Sequence, residues 1–147
     1  MESLLKRITH SQAGYSALVL RVGTAVIFIA HGAQKLFGLF GGYGLEGTGQ
    51  FMESIGLAPG FLMALMAGSA EFFGGVFILL GLLTRPVGAI LTLTMAVAIF
   101  TVHIGNGLFI ANNGYEFGLA LFAASLSLAF SGAGKFALDN TIYKKLT

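Results

Sequence analysis

The sequence contains no cysteine and few charged residues. Asp, Glu, Lys and Arg together make up 10% of its 147 residues, whereas soluble domains carry about 25%. Without cysteine the chain forms no disulfide, offers no thiol for redox chemistry and supplies no thiolate to a metal or an iron–sulfur cluster. Any redox chemistry would therefore require a bound carrier.

Apolar residues, by contrast, are abundant: they make up 56% of the chain, and the mean hydropathy is +0.86. A transmembrane helix needs about 20 mainly apolar residues. The chain divides into about four such segments, at residues 15–37, 60–83, 87–108 and 115–131. We therefore predict an all-α integral membrane bundle that forms a single domain over residues 1–147.

The longest connection joins the first two predicted spans. Its glycine-rich stretch 41–49 predicts a loop, and Gln50–Ile55 predicts a short surface helix. The loop lacks the preceding strand and the Gly-Lys-Ser/Thr ending of a phosphate-binding loop. The first fourteen residues are too polar for a cleaved signal peptide and predict a short interfacial helix.

Basic residues are concentrated on one side of the predicted spans. They precede the first span, separate the second from the third and follow the fourth, whereas only Lys35 lies on the opposite side. The positive-inside rule therefore places both termini in the cytoplasm. The net charge is only +2, so the expected partner is the lipid bilayer and not a nucleic acid.

Several polar side chains interrupt the predicted spans, where a charge costs roughly 2.5–3.5 kcal/mol and usually faces protein or a wet cavity. Three of them form one stripe along the first span. We expect Glu71 to lie deeper than the other outer residues, and Arg21 towards the inner side. The candidates for ligand binding or proton relay are Arg21, His31, Gln34, Lys35, Glu71, His103 and Glu116.

These residues are consistent with a proton relay, a metal site, a pocket for a polar head group or a structural lattice of ion pairs. In the structural alternative, Arg21 pairs with Glu71 and fixes the register of two helices. We expect no metal, because the histidines lack the close spacing typical of helical sites. Most phenylalanines should pack against lipid or helices, and those nearest the polar stripe are candidates to flank an aromatic ligand: Phe28, Phe72, Phe73 and Phe100.

An ordered series of short motifs covers nearly the whole chain. The motifs are HGAQKLFG at 31–38, GT at 47–48, GLAP at 56–59, AEFFGG at 70–75, GLLTR at 81–85 and GAGKFALD at 132–139. As a series they resemble the DoxX family of small four-helix membrane proteins. The resemblance implies a bacterial inner-membrane protein, related to the DoxD subunit of thiosulfate:quinone oxidoreductases, whose members are linked to oxidoreductase partners and quinone-associated chemistry.

From the residues and the resemblance together we expect a quinone-associated membrane subunit that works with a redox partner. Quinone chemistry needs a hydrogen-bond donor or proton source at each carbonyl and an apolar slot for the tail. The alternatives are a small-solute or proton transporter, which would usually show repeated halves, and a non-catalytic membrane scaffold. Glycines on more than one helical face also allow a homo-oligomer.

Overall fold

The computed structural model describes residues 2–146, and over that range the protein consists of helices joined by short connections, with no strand. The predicted all-α fold is confirmed. Helix α5 continues through a π-helical turn at Ile99–His103 and a 3-10 turn at Ile104–Asn106. The α-helices are α1 (Glu2–Thr9), α2 (Gly14–Phe37), α3 (Gly44–Ser54), α4 (Gly60–Leu80), α5 (Thr84–Ala98), α6 (Glu116–Ser131) and α7 (Leu138–Leu146).

Four apolar helices form the bundle. Helices α2, α4 and the continuous segment Thr84–Asn106 are long and apolar enough to cross a membrane, and α6 is an apolar helix of 16 residues. Helix α2 packs mainly on α4, and α5 packs mainly on α6, while α4 also contacts α5 and α2 contacts α6. These contacts close a ring of four helices. Helices α1 and α7 meet at one end of the ring, and α3 packs on α4 at the other.

Glycine brings α2 and α4 unusually close together. A Cβ atom on Gly32 would lie 2.3 Å from the backbone nitrogen of Phe72, and one on Gly75 would lie 2.9 Å from that of Ile29. Real Cβ atoms do not approach other atoms so closely, and small residues are the usual means of close contact between transmembrane helices. The position of Gly32 against Phe72 therefore fixes the register between the two helices.

Helix α3 begins at Gly44, inside the stretch 41–49 that was predicted to be a loop. That prediction was wrong for most of the stretch. Glycine disfavours helix by about 1 kcal/mol per residue relative to alanine, but tertiary contacts override this propensity. Here a Cβ on Gly49 would lie 3.1 Å from the Cα of Phe61 in α4, so the glycine permits close packing between the two helices.

Helix α5 begins at Thr84, whereas the sequence predicted a start at Val87. The Asp139 carboxylate explains the difference, because it accepts hydrogen bonds from the backbone N–H groups of Leu83 at 2.8 Å and Thr84 at 2.9 Å. Such acceptors satisfy the N–H groups that have no partner within the first turn of a helix. The basic residues Lys144 and Lys145, which follow the fourth span, lie in the last turn of α7.

Two arginines tie the chain together at the end of the bundle where α1 and α7 meet. Arg21 is 1% exposed, and its Nη2 donates hydrogen bonds of 3.0 Å to the carbonyl oxygens of Lys135 and Phe136. Arg85 donates to the carbonyl oxygen of His10 at 3.0 and 3.1 Å. These contacts fasten the segment after α6 onto α2 and fasten the segment after α1 onto α5.

Candidate functional site

A cavity of about 750 Å³ occupies the half of the bundle nearest α3, and we call it the large cavity. It is lined by α2, α3, α4, α5, the start of α6 and the connection before α6. Most of its lining is apolar. The polar or ionisable side chains among the lining residues are His31, Lys35, Tyr43, Thr48, Glu71, Thr94, Thr101, His103 and Asn113.

An ion pair lies at the wall of the large cavity. Lys35 Nζ is 2.5 Å from Glu71 Oε2, and the Glu71 side chain is 4% exposed. The predicted pairing of Glu71 with Arg21 is wrong. The contact of Gly32 with Phe72 explains why, because it sets Glu71 near the C-terminal end of α2 and within reach of Lys35, whereas Arg21 lies at the other end of the bundle.

Two histidines border the same cavity. His103 is the last residue of the π-helical turn, a feature that often occurs at functional sites. Its Nδ1 lies 2.9 Å from the carbonyl oxygen of Asn113. Since a carbonyl only accepts, the N–H at Nδ1 donates this hydrogen bond, and Nε2 is the ring nitrogen that stays available to a ligand. The His31 ring packs on Phe117, with ring centroids 5.8 Å apart.

The other polar candidates lie outside the large cavity. Glu116 accepts a hydrogen bond of 2.6 Å from the backbone N–H of Ile110, so it holds the connection before α6. Gln34 donates to the Phe40 carbonyl oxygen at 3.2 Å and holds the turn after α2. Across residues 2–146, no three His, Asp or Glu side chains cluster closely enough to bind a metal ion.

Of the four aromatic candidates, one lines the large cavity and three do not. Phe28 is buried and lines the large cavity. Phe72 packs edge-on against Phe73, with ring centroids 5.3 Å apart, and neither residue lines the cavity. Phe100 is 72% exposed on the outer surface of the bundle. The sequence therefore predicted one of the aromatic residues that line the cavity.

Helix α3 contributes to the large cavity, which its sequence pattern was not taken to indicate. Thr48, Phe51 and Met52 line the large cavity, and their spacing of three and four residues places them on one side of a helix. That signal was present but was obscured by the surrounding glycines. Asn113 and Phe117, from the region around the start of α6, were missed as well.

An apolar groove extends the large cavity onto the surface between α4 and α5, and we call it the lateral groove. Its exposed lining residues are Met66 from α4 and Ile90, Leu93 and Val97 from α5. Leu93 is 67% exposed. Because both helices are long and apolar enough to cross a membrane, the groove faces the acyl chains of the bilayer.

A second cavity of about 530 Å³ adjoins the large cavity beside α3, and we call it the small cavity. Its lining surface is mostly apolar and belongs in part to the glycine-rich turn after α2, and its polar side chains include Gln34 and Gln50. The residues that it shares with the large cavity are Lys35, Tyr43, Thr48 and Phe51. The two cavities therefore meet at the lysine of the ion pair.

The sequence of this chain matches a known protein family. The DoxX family pattern matches residues 16–104, which include the ion pair and both cavity histidines. The chain belongs to the DoxX family. The DoxX protein is thus an integral membrane protein, and the predicted resemblance is confirmed. No solved structure matches the chain.

Relatives of this DoxX protein occur in several bacteria. The Bacillus subtilis protein named "Putative oxidoreductase CatD" is 42% identical, over 86% of this chain and 87% of its own length. An uncharacterized protein of Haemophilus influenzae is 37% identical, over 89% and 93%. The Escherichia coli "Inner membrane protein YqjF" is 32% identical, over 87% and 92%. The relatives thus include proteins of the bacterial inner membrane.

Proposed function

We propose that this DoxX protein is a membrane subunit that binds a quinone-like lipid in the large cavity and works with a separate redox protein. The observation that carries the proposal is the shape of the cavity. Ionisable side chains line its interior, and an apolar groove connects it to the membrane. A quinone has the same two parts, a polar head group and an apolar tail.

The residues present fit a quinone head group. Lys35 offers an ammonium donor, oriented by Glu71, and the His103 ring is fixed in one tautomer by Asn113. A bound quinone would supply carrier chemistry for two electrons and two protons. Lys35 would donate a hydrogen bond to a head-group oxygen, and His103 Nε2 would accept one from a hydroxyl of the reduced head group.

The apolar part of the cavity fits the tail. Ligand pockets commonly measure about 300–1,000 Å³ and are mostly apolar with a few placed polar groups, and the large cavity of about 750 Å³ lies within this range. Its lateral groove lets a lipid enter from the bilayer without crossing water. The flexible Met66 side chain at the mouth can adapt to the tail.

A redox partner is part of the proposal because the chain has no thiol chemistry of its own. All 147 residues are free of cysteine, so electrons would reach the carrier from another protein. The name of the relative CatD, which describes it as a putative oxidoreductase, is consistent with this assignment.

The test is mass spectrometry of an organic extract from the detergent-purified protein. We expect about one quinone per chain in the wild type and depletion in Glu71→Gln, which removes the charge that orients Lys35. The matched control is Glu116→Gln, since Glu116 lies outside the cavity and a glutamine oxygen still accepts the hydrogen bond from Ile110. Gel filtration verifies that all samples are folded.

Two outcomes would contradict the proposal. One is the absence of quinone from the wild-type protein, even after purification from membranes enriched in quinone. The other is equal quinone content in Glu71→Gln and Glu116→Gln. With no quinone bound, proton or solute flux in liposomes would test the transporter alternative.

A further inference from the structure

The ion pair of Lys35 and Glu71 can be reached from two directions, through the lateral groove of the large cavity and through the small cavity. The small cavity lies at the end of the bundle opposite α1 and α7, beside α3 and the turn that follows α2. The lateral groove, in contrast, opens between two membrane-spanning helices. The two approaches therefore lead to different surroundings, the first towards the membrane surface and the second towards the acyl chains.

The residues shared by the two cavities show where the approaches meet. Lys35 borders both, and its side chain is 25% exposed although its partner Glu71 is 4% exposed. Thr48 of α3 also borders both cavities and is 7% exposed, so it lies at their junction beside Lys35. A charged ammonium that keeps partial contact with water avoids much of the cost of burying an ion.

We propose that the small cavity is an aqueous entrance through which water and protons reach the ion pair of Lys35 and Glu71 from the α3 side of the membrane. The inference deepens the proposed function and rests on it for its purpose, because a quinone exchanges protons whenever it changes redox state. The lipid enters through the lateral groove, and the protons enter through the small cavity. The two routes meet at Lys35 and Thr48.

Cysteine labelling tests the entrance, and the chain has no native cysteine to interfere. Thr48→Cys places a thiol of similar size at the junction of the cavities. Thr92→Cys is the matched control, because Thr92 is 9% exposed against 7% for Thr48 but lines neither cavity. The probe is a methanethiosulfonate that carries a permanent charge, which does not pass through acyl chains. It is applied to protein in liposomes.

We expect the charged reagent to label Thr48→Cys and to leave Thr92→Cys unlabelled. Adding Gln50→Trp, which places a bulky ring at the small cavity, should slow labelling of Thr48→Cys by the charged reagent but not by neutral N-ethylmaleimide arriving from the membrane. If Thr48→Cys does not fold, the double variant Lys35→Cys/Glu71→Gln replaces it, since it puts a thiol at the same junction without leaving an unpaired charge.

Three results would overturn the aqueous entrance. The first is that only N-ethylmaleimide labels the junction thiol. The second is that the charged reagent labels the junction thiol and Thr92→Cys equally. The third is that Gln50→Trp does not slow labelling of the junction thiol by the charged reagent. None of these measurements requires a quinone. A labelled junction in a protein that retains no quinone would therefore refute the proposed function and leave the entrance standing.

Discussion

We expect the substitution Gly32→Ala to destabilise the protein, because Gly32 lies directly against α4. Gly32→Ala adds one methyl group at a point where the nearest atom is the backbone nitrogen of Phe72, 2.3 Å away. A backbone atom cannot rotate aside as the end of a side chain can. The two helices must therefore separate, or α2 must rotate about its axis.

The size of the effect follows from that distance. To bring the new Cβ to an ordinary contact of 3.4 Å, α2 and α4 must move apart by about 1 Å. Inserting a methyl or methylene group into a well-packed core typically costs about 1–3 kcal/mol, and we expect Gly32→Ala to lie at the upper end of this range. The same displacement moves Lys35 away from Glu71, and a misplacement of about 1 Å in a site can cost roughly 100-fold in activity.

The assay is unfolding in detergent, followed by circular dichroism or by loss of the folded peak in gel filtration. Gly23→Ala is the matched control on the same helix, because no atom of a neighbouring helix lies within 4 Å of a Cβ at that position. Alanine favours helix over glycine by up to about 1 kcal/mol, so Gly23→Ala should be neutral or slightly stabilising. Equal stability of the two variants would refute the argument that this contact sets the distance between the helices.

Two further predictions concern the other end of the bundle and the topology. Asp139→Ala should lower the free energy of unfolding by about 2 kcal/mol, the upper end for loss of a helix cap, because two N–H groups lose their acceptor. Asp139→Asn, which keeps one acceptor oxygen, should lose less, and wild-type stability of Asp139→Ala in thermal unfolding would contradict the capping role. Reporter fusions should place both termini in the cytoplasm, and a terminus found outside would overturn this orientation.

The sequence predicted the helices of the bundle because their apolar runs are long, and a run of about 20 residues has few alternatives to a membrane span. It also predicted that the polar stripe of α2 faces protein, since His31 and Lys35 share one helical side and both line the large cavity. These are properties of single helices. They depend on local composition and periodicity alone.

Sequence periodicity could not predict which residues of different helices contact each other. The pairing of Glu71 with Lys35 depends on the register of α2 against α4, which is set by the contact between Gly32 and Phe72. The helicity of α3 depends on packing against α4, which outweighs the low propensity of its glycines. The capping role of Asp139 likewise joins residues that are 55 and 56 positions apart along the chain.

The fastening of Arg21 to the segment after α6 has a consequence for biogenesis. The carbonyl acceptors at Lys135 and Phe136, and the Asp139 carboxylate that completes α5, are synthesised after all the helices of the bundle. Until they emerge from the ribosome, the buried guanidinium and the first turn of α5 lack these partners. The bundle thus acquires its final stability only late in translation, and a fusion joined immediately after α6 would interfere with assembly more than one joined after α7.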